Sequence, residues 1–171
     1  MSFGAAASEQ VYCSPMAHYE VEIKTLLGKK ENADELKAKL AAADPDYKLV
    51  AQNSQLNHYF GPGDIEALYK NVEHLFTDEQ HEKFQKIVEK GSDFSVRTRQ
   101  KNDEVLLVVK ASMDEGDGIN AVSRMEFEEP VSLTLDELDQ LVLDAGYEYD
   151  SKWSRDREEY ECKGLNVCID R

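Results

Sequence analysis

The sequence predicts an α+β fold: an antiparallel β-sheet curled into a barrel with a charged lumen, with helices packed on its outside. Three observations predict it. Strand candidates follow one another through short turns, which favours antiparallel pairing over a parallel βαβ sheet. Four of these strands carry charged side chains on one face, of both signs on three of them, and mainly apolar side chains on the other. Four amphipathic helices need an apolar surface to cover, and those strand faces supply one.

Residues 1–15 contain Ala5-Ala6-Ala7 but neither a basic start nor a sustained apolar stretch, so they do not read as a secretory signal. They are set apart as a tail or vector remnant, and residues 16–171 are taken as a single domain. Over 18–26, Glu20, Glu22 and Lys24 share one face of a strand, and Val21, Ile23 and Thr25 share the other. A helix over 32–43 places Leu36, Leu40 and Ala43 on one side, and a strand follows at 47–60. Ile65, Leu68, Tyr69, Val72, Leu75 and Phe76 give a helical period over 64–76. Thr77 with Gln80 three residues on is a capping box for a helix to about Lys90 that buries Phe84, Ile87 and Val88 and ends at Gly91. The two-helix stretch 64–90 reads as an external buttress because of its apolar stripe.

Strands at 94–101 and 104–111 meet at a tight turn, Lys101-Asn102-Asp103-Glu104. The first aligns Arg97, Arg99 and Lys101 against Val96 and Thr98. The loop Asp114-Glu115-Gly116-Asp117-Gly118 lacks the spacing of an EF-hand and reads as a solvated turn. In the strand at 121–129, Arg124, Glu126 and Glu128 oppose Met125 and Phe127. Thr134 and Glu137 form a second capping box, for a helix that buries Leu135, Leu138, Leu141 and Val142 and stops at Gly146. Strands at 147–152, 155–162 and 165–170 complete the chain, with Arg155, Arg157, Glu159 and Glu161 aligned on one face.

A single strand with a charged face is ordinary, because antiparallel sheets often face water on one side. Four such strands, with helices committed to their apolar faces, point to a shared charged interior. That interior must be wet or filled by a charged ligand, since unpaired charges in a dry core cost several kcal/mol each. Carboxylates and cations together suit a divalent metal bound to phosphate, with Arg offering a bidentate fork to the phosphate oxygens.

The charge balance excludes other classes. Thirty-five acidic against 20 basic residues give a net charge of −15, which argues against nucleic acid along the surface and against anionic membrane. The longest aliphatic run, Val105 to Val109, is far short of a membrane span. Three cysteines (Cys13, Cys162, Cys168) with no CxxC fit free thiols in a reducing, cytoplasmic setting. Cys162 and Cys168 read as packing residues rather than metal ligands.

These motifs resemble, in order, those of the CYTH superfamily, the triphosphate tunnel metalloenzymes, which include class IV adenylate cyclases, thiamine triphosphatases and inorganic triphosphatases. Glu20-Val21-Glu22-Ile23-Lys24 is similar to the family's E-x-E-x-K strand, and Arg97-Thr98-Arg99 to its R-x-R strand. Lys110, Arg124-Met125-Glu126-Phe127-Glu128, the pair Arg155 and Arg157, and Asp170 follow in family order, and Asn57-His58-Tyr59-Phe60 resembles the second strand. The resemblance implies an eight-stranded antiparallel tunnel that binds a triphosphate and Mg²⁺ or Mn²⁺. It assigns Glu20 and Glu22, with Glu126 and Glu128, to the metal. It assigns Lys24, Arg97, Arg99, Lys110, Arg124, Arg155 and Arg157 to the triphosphate, and gives Asp170 and Lys24 catalytic roles. His58 and Tyr59 read as structural. The family continues past the aspartate into a final strand with E-x-E glutamates, whereas this sequence stops at Arg171. The reading is therefore of a C-terminally truncated domain with open edges at its first and last strands, weakened metal binding and a tendency to homodimerise. The implied activity is divalent-metal-dependent hydrolysis of inorganic, nucleoside or other organic triphosphate. Adenylate cyclase and a non-catalytic polyphosphate or nucleotide binder are the alternatives. A small-molecule triphosphate is the implied partner.

Overall fold

The computed structural model describes residues 23–113 and 123–171. Among them the chain forms α1 (Lys30–Ala43), β1 (Lys48–Phe60), α2 (Ile65–Val72), a 3-10 turn (Glu73–Leu75), α3 (Asp78–Lys90), β2 (Gly91–Lys101), β3 (Glu104–Met113), β4 (Ser123–Val131), α4 (Leu135–Leu143), β5 (Tyr149–Cys162) and β6 (Leu165–Asp170). The strands join one sheet in the order β4-β3-β2-β1-β5-β6, antiparallel at every step. This is an α+β fold whose sheet curls into a six-stranded half-barrel, not the eight-stranded closed barrel expected above. No helix among the described residues is long and apolar enough to cross a membrane.

Two differences account for the strand count. The expected strands 147–152 and 155–162 are one continuous strand, β5, paired with β1 from Lys48↔Glu161 to Phe60↔Tyr149. No Gly, Pro or Asn lies between Lys152 and Arg155 to turn the chain, so both segments stay on the same long neighbour. The expected strand 18–26 is described only from residue 23, and residues 23–28 form no regular element. Glu20 and Glu22 lie outside the described residues, as does the loop Asp114–Gly118.

Both capping boxes form. The Thr77 side chain accepts from the Gln80 backbone, and the Gln80 side chain accepts from the Thr77 backbone at 3.0 Å. Thr134 and Glu137 do the same for α4. Asn102 takes the left-handed conformation (φ 53°) that the tight β2–β3 turn needs, and its side chain accepts from Ser54 N at 3.0 Å. Gly63 lies so close to the Tyr147 ring that a Cβ there would meet it at 2.4 Å.

The core lies on one face of the sheet. Leu68 and Val72 of α2, Phe84 and Ile87 of α3, and Leu138 and Val142 of α4 pack on Val96, Leu107, Val109 and Phe127. Phe84 and Phe127 stack at 4.7 Å, and Phe76 meets Phe127 edge-on at 5.0 Å. The stretch 64–90 is thus a buttress, as its apolar stripe suggests.

One polar cluster is set into this core. Asp139 of α4 is buried, its Oδ2 2.6 Å from His58 Nδ1. Thr98 Oγ1 donates to Asp139 Oδ1 at 2.5 Å, and the Tyr149 hydroxyl donates to Oδ2 at 2.7 Å. Burial and the Asp139 carboxylate push the Tyr149 phenol up to about 12. The cluster ties α4 to β1, β2 and β5, so His58 is a structural residue here.

Candidate functional site

The register sets the charged side chains in rows across the sheet. Tyr59, Arg97, Val108 and Glu128 are successive partners from β1 to β4. The adjacent row holds Asn57, Arg99, Leu106 and Pro130, and Asn57 also faces Trp153 of β5. Lys110 stands between Ser95 and Glu126. Beyond β1, Gln55 faces Arg155, and Asn53, Arg157 and Asp170 make a row across β1, β5 and β6. Directly opposed residues point to the same side of an antiparallel sheet. All of these therefore share the face turned away from α2, α3 and α4.

Five cations on this face are held in place. Arg99 Nε donates to Asn57 Oδ1 at 2.9 Å, and its Nη1 donates to Glu128 at 2.5 Å. Arg97 Nη1 donates to the Tyr59 hydroxyl at 2.8 Å, while its Nη2 is a looser 3.8 Å from Glu126. Lys110 Nζ is 2.8 Å from Glu126. Arg157 forks onto both oxygens of Asp170 at 2.7 and 2.8 Å, and Arg155 reaches the same carboxylate at 2.9 Å. Arg155 Nε also donates to Gln55 Oε1 at 2.7 Å, and Gln55 donates to Asn53 at 2.7 Å.

The pattern of charge is cation-rich where β1, β2 and β5 meet. The Arg157 fork, helped by Arg155, holds the Asp170 carboxyl below its ordinary value despite partial burial. Arg157 is raised by the same bond. Arg155 is pushed below the usual arginine value, first by burial and then by the Arg157 guanidinium, with Arg99 adding to the effect against the pull of Asp170. Like charges are crowded there, and an anion would relieve them. Asn57 sharpens the point. It is 0% exposed, its carbonyl is spent on Arg99, and its amide nitrogen has no partner among the described residues. Unmet buried donors cost about 1–3 kcal/mol and are uncommon outside special sites.

Eight of the residues singled out from sequence thus come together on one face: Arg97, Arg99, Lys110, Glu126, Glu128, Arg155, Arg157 and Asp170. Arg124 is exposed on the same face, opposite Ser112. Lys24 is exposed in the irregular run 23–28 rather than on a strand. The amides Asn53, Gln55 and Asn57, and the rings of Tyr59 and Trp153, belong to this face but were not singled out from sequence for the site. The period-two polar stripe Asn53, Gln55, Asn57, Tyr59 was the available signal.

The described carboxylates do not by themselves make a metal site. Among the described residues no three of His, Cys, Asp or Glu converge. Glu126, Glu128 and Asp170 are each engaged by Arg or Lys. A separate small hollow, lined by Thr77, Glu79, Gln80, Lys83 and Glu129, lies between α3 and β4, where Gln80 and Lys83 already bind Glu129.

No family model matches the chain, and no curated protein matches it. Solved structures do. The fold is similar to the PH1012 protein of Pyrococcus horikoshii at 15% identity and a TM-score of 0.51, over 81% of this chain and 65% of that one. It is similar to a conserved hypothetical protein of Pyrococcus furiosus at 14% identity and a TM-score of 0.50, over 80% of this chain and 64% of that one. A Vibrio parahaemolyticus protein described as a candidate adenylate cyclase aligns over 80% of this chain and 61% of that one, at 12% identity and a TM-score of 0.43, too low to support an argument. The chain spans just under two thirds of the length of the structures it matches, and at these identities the likeness shows the fold alone.

Proposed function

We propose that the charged face binds the phosphates of a small triphosphate, and that the protein is a CYTH-type enzyme that hydrolyses it. The observation that carries this reading is the convergence of Arg97, Arg99, Lys110, Arg155 and Arg157 on one face, each preset by a carboxylate, amide or phenol. The order of motifs along the chain supports the family. In this reading the carboxylates hold the cations in their working rotamers until phosphate oxygens replace or join them. Guanidinium forks then meet the negative charge that develops on the phosphoryl oxygens as the bond to the leaving group breaks.

Asp170 has a defined part in this proposal. Its proton affinity is held down by two arginines, which suits an acceptor that orients water or the arginines rather than a base that removes a proton. Mg²⁺ or Mn²⁺ enters the proposal through the family resemblance, with Glu20 and Glu22 as its ligands. Lys24 and Arg124 keep their phosphate roles as part of the same proposal. A non-catalytic binder is the second reading, favoured by the full engagement of Glu126, Glu128 and Asp170 in ion pairs.

Incubation with tripolyphosphate or ATP, with and without Mg²⁺ or Mn²⁺, separates the readings. Release of orthophosphate supports the hydrolase. Cyclic AMP with pyrophosphate indicates a cyclase, and saturable binding without turnover a binder. Arg97→Ala and Lys110→Ala are each expected to weaken tripolyphosphate binding by about tenfold or more, the equivalent of one charge-assisted hydrogen bond. If both variants bind as the wild type does, the charged face is not the phosphate site.

A further inference from the structure

The cation cluster has an aromatic floor beside it. Tyr59 of β1 and Trp153 of β5 lie on the charged face with ring centroids 5.9 Å apart and planes 20° from parallel. The two rings are stacked on one another. Trp153 remains 38% exposed, unusual for the chain's one tryptophan when a core is available on the other face. Cations lie over both rings: the Arg97 guanidinium is 5.4 Å from the Tyr59 centroid and that of Arg155 is 5.3 Å from the Trp153 centroid, so an incoming ring takes the place of the Arg155 guanidinium as that cation turns to phosphate.

We infer that Trp153, with Tyr59 beside it, is a stacking subsite for an aromatic ring carried by the triphosphate, so that the ligand is a nucleoside triphosphate or a similar ring-bearing ester rather than inorganic triphosphate. This rests on the reading of the charged face as a phosphate site. The argument is one of spacing and chemistry. Trp153, Arg155 and Arg157 alternate along β5 on the same side of the sheet, so each step moves about 6.6 Å along the strand. A ring laid on Trp153 therefore has its phosphate chain running toward Arg155, Arg157 and the adjoining Arg99. Inorganic triphosphate needs the cations alone and leaves the aromatic floor without a use. Every nucleobase has a π-face, so such a floor binds purines and pyrimidines alike, with the larger purine favoured by contact area.

The single tryptophan makes the test direct. Binding of ATP, CTP and tripolyphosphate is measured by calorimetry on the full chain, alongside quenching of Trp153 emission. The expected result is that ATP and CTP quench, ATP more strongly, and tripolyphosphate does not. Trp153→Ala is expected to weaken ATP by about 5- to 150-fold, the range of base–aromatic stacking, with tripolyphosphate unchanged within about twofold. Trp153→Phe is expected to recover most of the ATP affinity. Unchanged tripolyphosphate binding also shows that the variant is folded. If Trp153→Ala leaves ATP unaffected, or weakens ATP and tripolyphosphate equally, the stacking subsite is wrong while the phosphate site stands. If the wild type binds none of the three, the phosphate site itself has failed, and the stacking subsite falls with it.

Discussion

On β4, Phe127 points one way and its neighbours Glu126 and Glu128 the other. Phe127 is fully buried against Phe84 of α3. Glu126 meets Lys110 and Glu128 meets Arg99 on the opposite face. The same alternation runs through β2, where Val96 and Thr98 lie under the helices while Arg97 and Arg99 face away. One face is held by packing and by the enclosed Asp139 cluster. The other is held by ion pairs and amides that an anionic ligand can rearrange. The difference teaches where stability and binding are divided in this fold: helix-side residues should govern whether the sheet forms, and charged-side residues what it binds.

The largest expected effect tests that division directly. Phe127→Ala should lower unfolding free energy by about 3–5 kcal/mol in a urea titration, the cost of an aromatic cavity in a packed core. Glu126→Gln, one residue along and 42% exposed, should cost less than about 1 kcal/mol. Equal losses would break the comparison. Asp139→Ala comes next, at about 2–4 kcal/mol, because His58, Thr98 and Tyr149 lose a shared buried acceptor. Thermal denaturation checks it, and a neutral result would show that the helix side does not depend on its polar anchor. Lys110→Ala should be the reverse case, with tripolyphosphate binding reduced about tenfold and stability changed by less than about 1 kcal/mol.

The smallest effect depends on pH. The carboxyl of Asp170 is held below its ordinary 3.8 by Arg157 and Arg155. A carboxylate depressed in the folded state contributes stability that is complete above its unfolded value and is lost as pH falls through its folded value. Asp170→Asn should therefore melt below the wild type at neutral pH, with the gap closing only as pH drops beneath about 3.8. A gap that is constant with pH would mean that Asp170 does not hold the two arginines through its charge.

Much of this arrangement is legible in the sequence, for identifiable reasons. Both capping boxes are local patterns, so Thr77–Gln80 and Thr134–Glu137 mark helix starts without any knowledge of the fold. The tight turn at Asn102 is equally local. Alternation along each strand sorts Arg97 and Arg99 from Val96 and Thr98, since side chains reverse face at every residue. Asp139 could have been noticed, four residues after Leu135 on the apolar side of α4, but its three partners come from three different strands.

By itself the sequence determined the type of most elements, the side of each observed strand that is charged, and the cations that could serve a phosphate. Only the tertiary structure decided which strands are neighbours. Register places Asp170 opposite Arg157, Glu126 opposite Lys110 and Trp153 opposite Asn57, and these pairings join residues far apart in the chain. Strand count was decided at the same level, because β5 remains unbroken by pairing along the whole of β1. Periodicity is a property of each segment alone, whereas pairing depends on the packing of the entire sheet, and the aromatic floor beside the arginines exists only through that pairing.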